Sequence, residues 1–232
     1  MSIEEFIHNL QQYNRPNVFN PWCDYDPECD IGPEAPQIRS RQLAEYLQPR
    51  LARSRYLFVA EAAGYQGCRF TGIAITCERM LLGSHKQITG QMVLGHDGIR
   101  TSRSDCVYMT SRPQRDSGMN EPTDTYVWGA IANNGLDPKD VLLWNIFPFH
   151  PHKEAAPFTN RTPTDEELAD GLTFTLQLLE LCGHKVSLGA IGKKSGVTLH
   201  DAGLTPIIMR HPANGGAGQF RREFATWLDS IG

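Results

Sequence analysis

Four short apolar runs constrain this chain most: YLFVAE (56–61), VLLWN (141–145), KVSLGA (185–190) and TPIIMR (205–210), each followed within three residues by glycine, proline or a polar residue. Apolar character at nearly every position, instead of every second one, suits strands covered on both faces, as in a parallel sheet. The connections between them are long enough for helices. The clearest is 164–182, where Thr164 and Glu167 make a capping-box pattern and Leu168, Leu172, Leu176 and Leu179 fall along one face up to Cys182-Gly183. Further helices are expected at 2–12, 38–53, 72–82, 123–134 and 218–230. Strands joined through helices make βαβ units, so the pattern predicts a three-layer α/β/α sandwich around a central four-stranded parallel sheet.

A chain of 232 residues, 40% of them hydrophobic, can bury a substantial core, and its length fits a single domain spanning 1–232. Two stretches lack a regular pattern. Residues 14–37, with five prolines and two cysteines, read as an irregular arm packed on the domain. Residues 83–122, rich in Gly, Ser and Arg, read as an irregular insertion holding a small hairpin or a mobile flap. The six cysteines are scattered and the N-terminus has no apolar signal core, which predicts reduced thiols in a cytoplasm. No segment approaches a membrane span, so no membrane partner is expected. A formal charge of -4 gives no global attraction to nucleic acid; any such binding needs a local basic face.

Ligands of open parallel sheets bind beyond the carboxyl ends of the strands. Here that rule selects residues 61–72, 145–152, 189–195 and 210–220, all of which carry polar or glycine residues after apolar runs. Each alone reads as a tight turn; four at one sheet edge can converge on a ligand. A dinucleotide fingerprint fails, because Gly64, Gly67 and Gly72 have the wrong spacing. GAIGKKSG (189–196) lacks the earlier glycine of a phosphate loop, leaving Lys193 and Lys194 as a solvated helix start or as contacts to a phosphodiester backbone. Neither Cys23 with Cys29 nor His150-Pro-His152 has a zinc spacing, so no metal is expected and the cysteines read as space-filling, with ligation by Cys23 and Cys29 the alternative. Trp22, Trp128, Trp144 and Trp227 are assigned to packing.

Taken in order, AEAAG (60–64), GCRFTGIA (67–74), VLLWN, NRTPTDEEL (160–168) and HPANGG (211–216) resemble the motifs of the uracil-DNA glycosylase superfamily over roughly residues 17–230. The first is most similar to the branch whose motif reads G-E-A-P-G, with Ala60 and Ala63 in place of glycine and proline. That branch holds an iron-sulfur cluster with a cysteine soon after the middle asparagine. Here the stretch reads NIFPFHPHKE, so no cluster and no cofactor is expected.

The resemblance implies an enzyme that takes a base out of the DNA stack and hydrolyses its glycosidic bond. It implies DNA containing uracil or another deaminated base as partner, and a monomer. Phe70 would stack on the base, and the Asn145 amide would read uracil N3–H and O4. His211 would donate a hydrogen bond to O2 as negative charge develops there. Glu61 would face the cationic sugar and orient water, since the aspartate of the best-known branch falls where Ala62 stands. Ala62 and Gly64 would line the pocket, with Tyr65 as the gate against a methyl group. Lys193, Lys194, Arg210, Asn214, Gly215, Gly216 and Arg221 would meet DNA. Hypoxanthine, xanthine or a thymine mismatch as substrate, and a non-catalytic nucleic-acid binder, are the alternatives.

Overall fold

The computed structural model describes residues 1–231; Gly232, the last residue of the expected domain, lies outside them. The chain opens with helix α1 (Ile3–Gln11), started by a capping box of Ser2 and Glu5. A two-residue strand β1 (Val18–Phe19), helix α2 (Ala35–Leu51) and strand β2 (Tyr56–Ala62) follow. The middle of the chain holds the short helices α3 (Cys68–Thr71), α4 (Glu78–Leu81), α5 (Gly90–Val93) and α6 (Arg112–Ser117), then α7 (Pro122–Asn133). Strand β3 (Val141–Phe147), the two-residue β4 (His150–Pro151) and helix α8 (Asp165–Cys182) come next. The chain continues through β5 (Ser187–Ile191), α9 (Lys193–Asp201), β6 (Ile207–Met209) and α10 (Ala217–Ile231).

The four apolar runs form one parallel sheet in the order β3-β2-β5-β6, flanked by helices in a three-layer α/β/α sandwich. Register places Ala60 opposite Asn145, Val59 opposite Ala190 and Ile191 opposite Met209. The β3 edge is not left open. Helix α2 covers it: the Leu143 amide donates to the Tyr46 hydroxyl (2.8 Å) and the Arg50 guanidinium donates to the Val141 carbonyl (3.1 Å). An edge capped this way has no row of free amides to recruit another strand. On one face of β2, the rings of Tyr56 and Phe58 meet Trp227 of α10 at 5.3 and 5.0 Å. All four tryptophans are buried.

The structure departs from the sequence reading at several places. Strand β3 runs two residues beyond the expected end, so Asn145 lies inside the strand and not at its end. Strands β5 and β6 are shorter than expected, and α9 forms where only a possible helix start was read. The helix expected at 72–82 reduces to α4. Gly72 and Ile75 have positive φ, and the hydroxyl of Thr71 bonds the carbonyls of Ile73 and Thr76, bending the chain into turns. Helix α8 buries Leu168, Gly171, Thr175, Leu178 and Cys182, a face rotated from the expected leucine stripe, and Leu176 is exposed.

Residues 83–122 hold no hairpin among the described residues; they contain α5 and α6 and are pinned from beneath. The buried Glu78 carboxylate accepts from the amides of Thr101 and Ser102, both at 2.9 Å. The expectation of uniformly reduced thiols is overturned: Cys29 of the arm and Cys106 of the insertion form a disulfide with Cα atoms 4.7 Å apart. Antiparallel contact between Asp30 and Ser102 brings the two segments together, and the bond to Cys106 takes Cys29 out of the alternative of metal ligation with Cys23.

Candidate active site

A cleft opens at the carboxyl ends of β2 and β3. Its inner compartment, about 50 Å³, is bounded by Glu61, Cys68, Ile75, Asp124, Asn145 and His211. An outer compartment of about 510 Å³ shares Glu61, Ala62, Gly64, Glu121, Thr123 and His211 with it. A larger groove of about 690 Å³ lies between α8 and α9, lined by aliphatic groups such as Leu168, Leu172 and Val197 and sharing Lys193 and Lys194 with the outer compartment.

Each polar group is placed by backbone. Asn145 is held in the ladder opposite Ala60 and is 2% exposed. Glu61 is the penultimate residue of β2. His211 follows β6, whose Met209 carbonyl accepts from the Gly192 amide at 2.8 Å. A tight turn then closes over the imidazole. Asn214 and Gly215 both have positive φ, and the Gly216 amide donates to the Ala213 carbonyl at 3.1 Å, the geometry an Asn-Gly pair favours. Gly216 has no room for a side chain, because a Cβ there would stand 2.1 Å from the His211 carbonyl.

That turn also fixes the proton on His211. The Ala213 amide donates to Nδ1 at 3.1 Å, so Nδ1 is the acceptor and the neutral ring carries its hydrogen on Nε2. Burial, and then the neighbouring Arg210 charge, hold the imidazole below its ordinary pKa. The result is a neutral N–H donor on the cleft at pH 7.

The sequence reading missed Glu121 and Asp124. Asp124 on α7 and Glu121 just before it reach the inner compartment below Gly64 and Gly67, where a Cβ on Gly64 would lie 2.4 Å from Glu121 Oε2. Burial pushes Glu121 up to about 7; burial and then the Glu121 charge push Asp124 well above the usual carboxylate range. A carboxylate one residue before a proline and another in the first helical turn look like ordinary helix-start residues, so the sequence carried no separate signal for them. Asn160, Arg161 and Thr162 on the outer rim were legible only as part of the NRTPTDEEL pattern. Arg161 is anchored there, its guanidinium paired with both oxygens of Glu167 at 2.7 Å.

Other expected residues divide. Ala62, Gly64, Lys193, Lys194, Arg210 and Asn214 border the outer compartment. Gly215 and Gly216 build the turn and do not border it, and Arg221 lies over the Tyr126 ring, 5.6 Å from its centroid. Phe70 and Tyr65 are placed elsewhere. Phe70 is fully buried in a second cluster with Cys29, Cys106, Met109, Met119 and Phe158, and Tyr65 packs against that cluster. The reason is helical phase. Cys68 of α3 faces the inner compartment, and a residue two positions on is turned by about 200°, so Phe70 points away.

No protein-family model matches this chain, and no curated protein does. Among solved structures, the chain is similar to the crystal structure of SMUG2 from Pedobacter heparinus, with a TM-score of 0.60 and 13% identity, covering 99% of this chain and 96% of that one. A likeness at that identity is one of fold. Fold and site together define an α/β protein whose sheet edge gathers an amide, a neutral imidazole and carboxyl groups around a cleft bordered by lysine and arginine.

Proposed function

We propose that the protein is a DNA glycosylase that removes uracil or another deaminated base. The observation that carries this reading is His211, fixed by the Ala213 amide as an Nε2–H donor on the same compartment as Asn145 and Glu61. The ordered motifs support it, and the fold shared along nearly the whole chain with SMUG2 is consistent with it.

In this reading the nucleotide leaves the stack and its base enters the cleft, with Asn145 pairing to the imide edge. The C1′–N bond breaks and its electron pair stays on the base. A preorganised N–H donor from His211 takes up the charge that develops on the base oxygen, at no cost of reorganisation. Glu61 offsets the positive charge of the sugar and takes a proton from the water that adds to C1′. Lys193, Lys194 and Arg210 meet the phosphates, so binding weakens steeply with salt. Water is the nucleophile, which makes the enzyme monofunctional.

The test is incubation of purified protein with single- and double-stranded oligonucleotides carrying one uracil, hypoxanthine or thymine mismatch, followed by alkaline cleavage of abasic sites. The expected result is release of free base, with His211→Ala and Asn145→Ala each slowing it about 10²–10³-fold. Full activity in both variants would falsify the site.

A further inference from the structure

Two carboxyl groups of the inner compartment have no part in the reaction above. Glu121 precedes α7 and makes no capping bond to it, and Asp124 lies in the first turn. Their oxygens converge: a Cβ on Gly67 would stand 2.6 Å from Glu121 Oε2 and 2.8 Å from Asp124 Oδ2. Asp124 is 2% exposed, and its Oδ2 is buried with no hydrogen-bond partner. The Glu121 charge adds to burial in raising Asp124. Behind them the thiols of Cys68 and Cys77 are themselves pushed up by burial and by this pair. Glu61 and His211 are the titratable groups across the compartment.

Two like charges this close in a desolvated site do not both ionise, so the pair retains a proton. A protonated carboxyl donates through its O–H and accepts at its carbonyl; its ionised neighbour only accepts. The Asn145 amide on the same compartment adds one more donor and acceptor. An unsatisfied buried oxygen is costly unless something entering the compartment satisfies it. The complement to such a surface is a flat ring edge carrying N–H and C=O groups.

We infer that Glu121 and Asp124 are specificity-determining residues that hold the extruded base through a ring carbonyl, beside the N–H that Asn145 reads. They favour lactam bases, the class deamination produces, and disfavour a base that turns a methyl group towards them. This rests on the glycosylase reading for the origin of the base. The binding itself needs no cleavage.

Isothermal titration of the intact protein with free uracil, hypoxanthine and thymine, from about pH 6 to pH 8, tests it. Wild type binds uracil or hypoxanthine more tightly than thymine, and the affinity falls as pH rises past about 7, where Glu121 ionises and the pair goes from two O–H donors to the one that Asp124 keeps. Glu121→Ala and Asp124→Ala, which remove the carboxyl groups, bind those bases about tenfold more weakly and lose the pH response. Thermal unfolding of both variants checks that the fold survives. In oligonucleotide cleavage the ratio of uracil to thymine release narrows in the variants, whereas a merely structural role lowers both rates together. The inference is overturned by variants that keep wild-type base affinity and pH response, by a wild type that binds no free base, or by an unchanged uracil-to-thymine ratio. A wild type that binds free base through the pair yet releases none from DNA sinks the glycosylase reading alone.

Discussion

A carboxyl group kept neutral against its preference in water destabilises the fold that holds it. Folding pushes Glu121 from 4.5 up to about 7 through burial. As pH rises past the lower value, the unfolded chain gives up this proton while the folded chain keeps it. The folded state then binds more protons, so stability falls between about pH 4.5 and 7 and stays reduced above. Glu121→Gln carries no such loss. Urea unfolding at pH 8 should find the variant more stable than wild type by about 1–3 kcal/mol, with no gain at pH 4. His150 acts in the opposite range. Buried, with Nε2 donating to the Thr159 carbonyl at 3.0 Å, it is pushed from 6.5 down to about 3. Its unfolded form takes up a proton first as pH falls, so stability drops from about pH 6.5 downwards. Wild type should therefore be most stable near pH 5–6. A variant gain of equal size at pH 4 and pH 8 would contradict the linkage.

At the level of elements, the approach of α8 to β3 sets the geometry around Asn145. Gly171 lets the helix lie directly on the strand: a Cβ there would stand 2.1 Å from the Ile146 carbonyl and 2.8 Å from Phe147 Cα. Gly171→Ala must lift α8 away, which should cost about 1–3 kcal/mol and slow base release along with it, as read by thermal unfolding and the cleavage assay. Wild-type stability in this variant would mean that the contact yields without strain. The ends of α8 were legible because Thr164, Glu167 and Gly183 are local signals that local bonding satisfies. Its buried face was not. Counting leucines pointed to Leu172 and Leu176, while the sheet selected the face containing Gly171, whose lack of a side chain hides it from a hydrophobic count. The same limit applies to α3. The order of Gly67, Cys68 and Phe70 was plain, but which of them faces the cleft depends on the phase of a single turn fixed by tertiary contacts.

Across the whole molecule, the strand pattern gave the sheet because parallel strands announce themselves by continuous apolar runs. The two irregular segments gave no such notice. Their mutual attachment depends on residues far apart in the chain, and six cysteines alone allow many pairings. Cys29 and Cys106 are 77 residues apart in sequence. Around them the Ile31 amide donates to the Thr101 carbonyl at 2.8 Å and the Arg103 amide to the Cys29 carbonyl at 2.7 Å. The bond thus locks the arm to the insertion beside the second cluster, where Phe70 and Phe158 pack. Opening it frees a loop of that length in the unfolded chain, a loss of about 2–5 kcal/mol. For a chain of this size that corresponds to a melting temperature lower by about 5–15 °C in reductant. A Cys29→Ser, Cys106→Ser double variant should melt near the reduced wild type and ignore reductant altogether. Glu121 lies at the end of the same insertion, so loosening it should also weaken free-base binding while the parallel sheet persists. Identical melting of wild type with and without reductant would mean that the hydrogen bonds and the buried Glu78 carboxylate suffice to hold these segments, and that the disulfide adds nothing to the site.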